Sequence, residues 1–314
     1  MRSRRGFLRG ALGVGLAVAA RWAEWPGRPR PGLAAEAPPA PVGGRPVTVG
    51  GPRSAVDGHL RVAVPFGLRG LDPALGFNGH TLVTYGLGET LQRVTPAGDV
   101  VPWLAERVEA VGPARWRVRL RAGLRFWNGQ PVDAAAVRES LRRSLERNPS
   151  AAGLLHLTAI ETPDELTLEL STRTPDGGLG ANLSSYFLVI HDAVEAARGG
   201  DDAFGRQPVL TGPYRPVEFR ANELCLVERF AGYWGGEPAL ARAEFRGVSD
   251  GNARLLAALA GDAEIVRQVP PPGLASLRAA GVPVASTASG YMYHVYLNAR
   301  RPPFDEVAVR RALA

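Results

Sequence analysis

Hydrophobic and polar positions alternate strictly over residues 116–121. Trp116, Val118 and Leu120 fall on one side of this pattern, and arginines occupy the positions between and after them. A period of two is typical of a β-strand with one buried and one solvated face. The alternation therefore predicts a strand whose arginines form a wet face rather than a nucleic-acid site.

A turn and a capped helix follow this strand. Asn128 and Gly129 form the strongest short hairpin signal, because both residues tolerate a positive φ. Asp133 then occupies the N-cap position of a predicted helix. Hydrophobic residues recur along this helix at positions one turn apart: Val137, Leu141 and Leu145. We expect the helix to end at Asn148 and Pro149.

The rest of the chain mixes strands and helices without a regular βαβ rhythm. The predicted segments are two strands joined by a turn at 163–164, a helix carrying Leu255, Leu256 and Leu259, a strand at 264–266, a helix at 272–280, a strand at 291–298 and a C-terminal helix. Asp250 or Asn252 caps the first of these helices, which ends at Gly261, and Asp305 caps the last. This order predicts a mixed α/β fold rather than a Rossmann domain or a barrel.

The net charge of +7 comes almost entirely from the N-terminal segment. Residues 1–45 carry eight Arg against Glu24 and Glu36, so the remaining residues balance at +1. All 37 basic residues are Arg. No clustered basic stripe is left in the remainder, so the charge does not indicate nucleic-acid binding. The content of 45% hydrophobic and 21% charged residues is typical of a folded protein of one to two domains.

The N-terminus has the pattern of an export signal. Arg4 and Arg5 precede a charge-free apolar run that covers only residues 11–20, which is too short to span a bilayer, since that takes about 20 residues. We therefore expect a twin-arginine export signal over residues 1–35, with an uncleaved amphipathic N-terminus as the alternative. A flexible tether rich in Pro, Gly and Arg is expected over residues 36–57.

The sequence contains no catalytic or metal-binding constellation. No two of the five histidines have metal-ligand spacing, and there is neither a G-x-S-x-G elbow nor a P-loop lysine. Asp201 and Asp202 follow two glycines and are interpreted as a solvated loop rather than a catalytic pair. Cys225 lies in an apolar segment and predicts a buried structural thiol. We therefore predict no enzyme, no cofactor and no resident metal.

Several stretches resemble one known family in the order in which that family has them. The segment 120–141, with its strand, hairpin and capped helix, resembles a block of the family 5 extracytoplasmic solute-binding proteins. The other matching stretches are LDPAL at 71–75, ETL at 89–91, VPWLAE at 101–106, TGPY at 211–214, GYWGGEPAL at 232–240, ALAGDAEIV at 258–266 and LNARRPPFDEVAVRRAL at 297–313. Together they extend over nearly everything from residue 60 onward.

The resemblance implies the two-lobed, class II type fold of periplasmic binding proteins. It places the first lobe at residues 58–288 and the start of the second lobe at residues 289–314. Since family members continue through a complete second lobe, it also implies a C-terminally truncated receptor. The implied function is capture of peptides, nickel chelates or similar small solutes by hinge closure. The implied partners are the permease and ATPase subunits of an ABC importer, with a monomeric receptor in the periplasm or at the extracytoplasmic surface.

The resemblance also assigns candidate ligand-binding residues. In the nickel-binding branch of the family, the loop after LDP lines the cleft, which here brings in Gly76, Phe77, Asn78 and His80. Tyr291 and Tyr293 lie on the strand that leads into the second lobe, although the same period of two is typical of a core strand. A surface histidine is likewise the alternative for His80.

Two other functional interpretations stay open at this point. The chain is also consistent with a remnant of such a receptor that does not transport. A secreted hydrolase on an unfamiliar scaffold belongs to a different class, and labelling by a serine or cysteine probe distinguishes it from a binding protein.

Overall fold

The computed structural model describes residues 58–286 and 295–313. They lie in the larger of the two units into which the chain divides, Pro52–Ala314. The strands are β1 (His59–Val64), β2 (Gln92–Val94), β3 (Val100–Pro102), β4 (Ala105–Gly112), β5 (Arg115–Leu120), β6 (Leu157–Asp164), β7 (Thr167–Thr172), β8 (Tyr214–Arg220), β9 (Leu224–Arg229), β10 (Arg242–Gly247) and β11 (Ile265–Val266).

Short helices connect these strands. The α-helices are α1 (Asn78–Thr84), α2 (Ala134–Arg147), α3 (Pro149–Leu154), α4 (Leu179–Asn182), α5 (Ala193–Phe204), α6 (Gly251–Ala260), α7 (Leu274–Ala279) and α8 (Val307–Ala312). Two 3₁₀-helices cover Tyr186–Leu188 and Pro271–Gly273. Within the described ranges, every helix is too short or too polar to cross a membrane.

One hydrophobic core lies on a five-stranded mixed sheet of order β11-β1-β10-β9-β8. β1 runs parallel to both β10 and β11, whereas β10, β9 and β8 pair in antiparallel fashion. Val62, Val64 and Val227 are buried in this core together with Leu71 from the segment after β1. Cys225 is buried in the same core, as the sequence predicts, and burial raises the pKa of its thiol to about 12.

A second core lies between a four-stranded antiparallel sheet, β4-β5-β7-β6, and helix α2. Val118 and Leu120 of β5 are buried in this core and Trp116 packs against it. On the opposite face, Arg115 and Arg117 form ion pairs with Glu169 on β7. The prediction of a strand with a wet arginine face is therefore confirmed, and its charges are balanced by neighbouring carboxylates.

The predicted turn and helix cap are both present. Gly129 has a φ of +84° in the turn, where its amide donates to the carbonyl of Phe126. The side chain of Asp133 accepts a hydrogen bond from the backbone N–H of Ala136 at 2.8 Å and caps α2. Asn148 ends α2 and also caps α3, whose first residue is Pro149.

Toward the C-terminus the structure both confirms and corrects the sequence. Of the two possible caps for α6, Asp250 is the one used, and Gly261 ends the helix in the left-handed conformation with φ +74°. Residues 295–298 form no strand, and the earlier part of that predicted strand lies outside the described residues. The prediction of Asp305 as a cap is wrong, because the N-cap of α8 is Glu306, with no side-chain capping bond.

Candidate functional site

The carboxyl ends of three parallel strands meet at one edge of the five-stranded sheet. β1, β10 and β11 run in the same direction, so the segments that follow Val64, Gly247 and Val266 all leave the sheet at this edge. Ligands of open α/β sheets bind outside the carboxyl ends of the strands. The sequence predicted a loop here, but only Gly76 and Phe77 form a turn, and residues 78–80 are the first turn of α1. This turn and helix start, called the loop at residues 76–80, belong to the segment after β1, so the topology favours them as part of a site.

A buried arginine joins two of the segments that leave this edge. Arg254 on α6 is only 6% exposed. Its guanidinium donates to the carbonyl oxygens of Val248 at 2.6 Å and Ser249 at 2.9 Å, after β10. It also donates to those of Arg267 at 3.1 Å and Gln268 at 2.9 Å, after β11. One side chain thus fixes the relative position of both segments.

The loop at residues 76–80 is shaped by internal hydrogen bonds. Gly76 has a φ of +53°, which residues other than glycine rarely adopt. Its carbonyl accepts a hydrogen bond from Nδ2 of Asn148 at 2.9 Å. Nδ2 of Asn78 donates to the carbonyl of Asp72 at 3.0 Å. Gly76 and Asn78, both predicted as ligand contacts, therefore also hold the shape of the loop.

An aromatic patch forms beside this loop from Phe77, His80, Tyr186 and Phe187. The ring of Phe77 is 69% exposed and lies 5.5 Å from that of Phe187, centroid to centroid. The imidazole of His80 meets Tyr186 edge to face at 5.2 Å, and Tyr186 and Phe187 lie 4.4 Å apart. Such a surface presents ring faces and one imidazole to a ligand.

A glycine allows the two parts of the aromatic patch to approach each other. A Cβ at Gly79 would lie 1.9 Å from the carbonyl oxygen of Tyr186. Any other residue at position 79 would therefore push α1 away from the 3₁₀-helix that carries Tyr186 and Phe187. Ser185 caps this 3₁₀-helix by accepting from the amide of Phe187 at 3.4 Å.

Asp72, Arg143 and His191 form a buried polar network, in which Asp72 lies just before the loop. The guanidinium of Arg143 binds both oxygens of Asp72, at 2.9 and 2.6 Å. Burial alone would raise the pKa of Asp72, but the hydrogen bonds and charge of Arg143 outweigh it, so the pKa lies below its usual value. Arg143 also approaches Nε2 of His191 at 3.3 Å, and Nδ1 of His191 lies 3.0 Å from the carbonyl of Val189. These distances fit a neutral imidazole with its proton on Nδ1.

His191 makes the stability of the fold depend on pH in the acidic range. Its burial, together with the nearby charge of Arg143, lowers the pKa from 6.5 to about 4, although the hydrogen bond to the Val189 carbonyl and the charges of Asp72 and Asp192 oppose this shift. The unfolded chain therefore binds a proton more readily than the folded one. We expect the free energy of unfolding to fall as the pH drops from about 6.5 toward 4, by on the order of 3 kcal/mol. Urea titrations across this range measure the effect.

A substitution separates His191 from other acid-sensitive groups. His191→Asn is expected to flatten the pH dependence between about pH 6.5 and 4, since no proton is then taken up at this position on unfolding. His156→Asn, which changes an exposed histidine, is the matched control. A slope that persists in His191→Asn would contradict the assignment.

A second buried carboxylate, that of Glu89, binds two aromatic residues of the GYWGGEPAL stretch. Glu89 accepts hydrogen bonds from Nε1 of Trp103 at 2.8 Å, the hydroxyl of Tyr233 at 2.7 Å and Nε1 of Trp234 at 3.2 Å. Burial raises the pKa of Glu89, while these hydrogen bonds oppose the rise. Tyr233 and Trp234 are thus engaged in holding the fold together.

Some predicted site residues meet in the structure, and others are not described. Phe77 and His80 belong to the same aromatic patch. Tyr291 and Tyr293 lie outside the described residues. Sequence reasoning missed Tyr186 and Phe187, for which an aromatic pair following two serines was the only local signal. In the part of the chain that the structure describes, no three His, Cys, Asp or Glu side chains cluster as a metal site would require.

Comparisons with known proteins agree on one family. The model of bacterial extracellular solute-binding proteins, family 5 (middle), matches residues 99–314. The glutathione-binding protein GsiB of Pectobacterium atrosepticum is 31% identical over 206 residues, which make up 63% of this chain and 39% of that protein. The chain thus spans about two fifths of the length of the curated relatives it matches.

Solved structures agree as well. A nickel ABC transporter protein from Bacillus halodurans is 28% identical, with a TM-score of 0.65 over 81% of this chain and 52% of that one. The protein MoaA of A. tumefacien R10, solved with mannopinic acid, is 23% identical and has a TM-score of 0.69. The match covers 82% of this chain and 54% of that one, and it shows the fold.

The mixed α/β architecture is that of solute-binding proteins, and an exposed aromatic patch lies on the segment that follows β1. The chain belongs to the bacterial extracellular solute-binding proteins of family 5, whose model covers more than two thirds of it. The predicted family is therefore confirmed, and so is the mixed α/β fold of solute-binding proteins.

Proposed function

We propose that the protein is the exported substrate-binding component of an ABC importer for peptides, metal chelates or similar small solutes. Its family membership supports this proposal, as do relatives and structural neighbours named for glutathione and for nickel. The observation that carries the proposal is the aromatic patch, because it leaves a large ring, Phe77, exposed on a loop that is otherwise fixed by hydrogen bonds.

The mechanism that we propose is ligand-stabilised hinge closure. Residues 58–288 form the first lobe and residues 289–314 begin the second. A ligand that contacts both lobes only in the closed form raises the population of that form. The permease and ATPase subunits of the importer then receive the solute from a monomeric receptor. No step in this mechanism requires catalysis.

Export of the receptor is part of the same proposal. Arg4 and Arg5 belong to a twin-arginine signal within residues 1–35, and residues 36–57 form a tether. The site of action is then periplasmic or at the extracytoplasmic surface. These segments lie outside the described residues, so the proposal rests on their sequence pattern.

Within the site, the candidate residues take different roles. Phe77 and His80 contact the ligand, whereas Gly76 and Asn78 keep the loop in place. Tyr291 and Tyr293 stay predictions from the family resemblance. A metal bound here would bring ligands of its own, as a chelate does, since the aromatic patch supplies a single imidazole.

The proposal predicts a binding defect from one surface substitution. Phe77→Ala is expected to weaken binding of the preferred solute by about tenfold or more, because an exposed aromatic anchor is lost while the loop keeps its hydrogen bonds. Isothermal titration calorimetry of the full chain with reduced glutathione and with a nickel–histidine complex measures the affinity.

A matched control distinguishes loss of the site from general damage. Leu256→Ala removes a similarly exposed apolar side chain from α6 and is expected to leave binding unchanged. Absence of saturable binding for both solutes in the unaltered protein would overturn the proposal. Equal affinities in Phe77→Ala and the unaltered protein would show that the aromatic patch does not bind the solute.

A further inference from the structure

A cavity of about 330 Å³ lies at one end of the four-stranded sheet. It shares no residue with the aromatic patch. Its walls come from the end of α3, the residue before β6, the end of β7 with the segment after it, and α4. The lining residues are Gly153, Leu154, His156, Thr172, Thr174, Pro175, Asp176 and Asn182.

The walls of this cavity are fixed by bonds within the protein. The indole Nε1 of Trp116 donates to the carbonyl of Asp176 at 3.0 Å, and the amide of Gly178 donates to Oδ1 of Asp176 at 2.9 Å. Nδ2 of Asn182 donates to the carbonyl of Leu154 at 3.1 Å and ties α4 to α3. A ligand would therefore meet a preformed surface, which lowers the entropic cost of binding.

The lining of the cavity presents acceptors that the protein itself does not use, beside the imidazole of His156 and the hydroxyl of Thr174. The hydroxyl of Thr172 donates to the carbonyl of Thr174 at 2.7 Å, and the amide nitrogen of Asn182 is engaged with Leu154. Among the described residues, Oδ2 of Asp176 and Oδ1 of Asn182 accept no hydrogen bond. Asp176 carries the one carboxylate of the lining, which includes no arginine.

We propose that this cavity is a second binding site, which takes the ammonium or guanidinium group of a small organic cation. Such a group donates several hydrogen bonds and carries the charge that complements Asp176. The volume lies at the small end of the range of ligand pockets, about 300–1,000 Å³, and suits a solute the size of an amino acid. The site is independent of the solute bound at the aromatic patch.

Calorimetry of the full chain with agmatine, which carries both an ammonium and a guanidinium group, tests this proposal. Saturable binding is expected, and the neutral amide hexanamide is expected not to bind. Asp176→Asn is expected to weaken agmatine binding by about tenfold or more, since it removes the charge but keeps an oxygen for the amide of Gly178. Asp202→Asn changes an exposed carboxylate outside the cavity and is the matched control.

A second variant tests the cavity by volume instead of charge. The Cβ position of Gly153 has no atom within 4 Å, so Gly153→Leu can add a side chain to the cavity wall. It is expected to weaken agmatine binding about as strongly as Asp176→Asn. Phe77→Ala is expected to leave it unchanged, which separates this site from the aromatic patch. Absence of agmatine binding, equal binding of hexanamide, or unchanged affinity in both cavity variants would each overturn the proposal.

Discussion

Replacing Arg143 with methionine is expected to lower the free energy of unfolding by about 3–5 kcal/mol. The substitution leaves the carboxylate of Asp72, which is 1% exposed, without the guanidinium that binds both of its oxygens. A buried charge that loses its partner keeps its desolvation cost and loses the compensating attraction. The Arg143→Met substitution also removes the hydrogen bond from Arg143 to His191. Urea denaturation near pH 7 measures the change.

Two further variants show whether the unpaired charge causes this loss. The double substitution Asp72→Asn and Arg143→Met removes both charges, so it is expected to destabilise less than Arg143→Met alone. Arg142→Met alters an exposed ion pair on the same helix and is expected to cost about 1 kcal/mol or less. A double variant less stable than Arg143→Met alone would contradict the explanation.

The Asp72–Arg143 pair also connects stability to the site. Arg143 belongs to α2, which packs on the four-stranded sheet, and Asp72 precedes the loop at residues 76–80, which follows a strand of the five-stranded sheet. Asn148 at the end of α2 adds a second bond to this loop, through Gly76. The segment that carries Phe77 is therefore held in place by Arg143 of α2 and by Asn148 at its end.

Local sequence patterns predicted the elements that local forces define. The alternation around Val118 predicted β5, and the spacing of Asp133 and Leu141 predicted α2 with its cap. Asp250 and Gly261 bracketed α6 in the same way. Each cap acts on backbone groups within about three positions, and the periodic pattern recurs every two to four positions, so these signals are local.

Contacts between distant segments could not be predicted in this way. β1 pairs with β10 although His59 and Arg242 are far apart in the chain. Tyr186 joins Phe77 and His80 only because α1 packs against a 3₁₀-helix that follows much later in the sequence. The family resemblance indicated the loop at residues 76–80, but it gave no reason to include Tyr186.

Helix α6 shows most clearly why a hydrophobic pattern can mislead. Its leucines predicted a helix correctly, yet Leu256 is 65% exposed and Arg254 is the buried residue. Periodicity cannot show that backbone carbonyls from two distant segments will surround a guanidinium. Burial of a charged side chain becomes favourable only when such acceptors satisfy its donors.

Arg254→Met is therefore expected to destabilise the protein by about 3 kcal/mol or more. Methionine fills much of the same volume but leaves four carbonyl oxygens without their donor, among them that of Gln268. Gln268 has a φ of +53°, a conformation that costs on the order of 1 kcal/mol for a residue with a Cβ and that this bond helps to hold. Urea denaturation gives the global effect.

Two further substitutions test whether the lost hydrogen bonds of Arg254 cause this destabilisation. Arg254→Lys keeps the charge with fewer donors, so its stability is expected to lie between those of Arg254→Met and the unaltered protein. Arg278→Met removes an exposed arginine from α7 and is expected to change stability by less than about 0.5 kcal/mol. Hydrogen exchange is expected to accelerate in Arg254→Met at the amides near Val248 and Arg267, which flank the carboxyl ends of β10 and β11. If exchange there stayed slow, the two segments would not depend on Arg254 for their relative position.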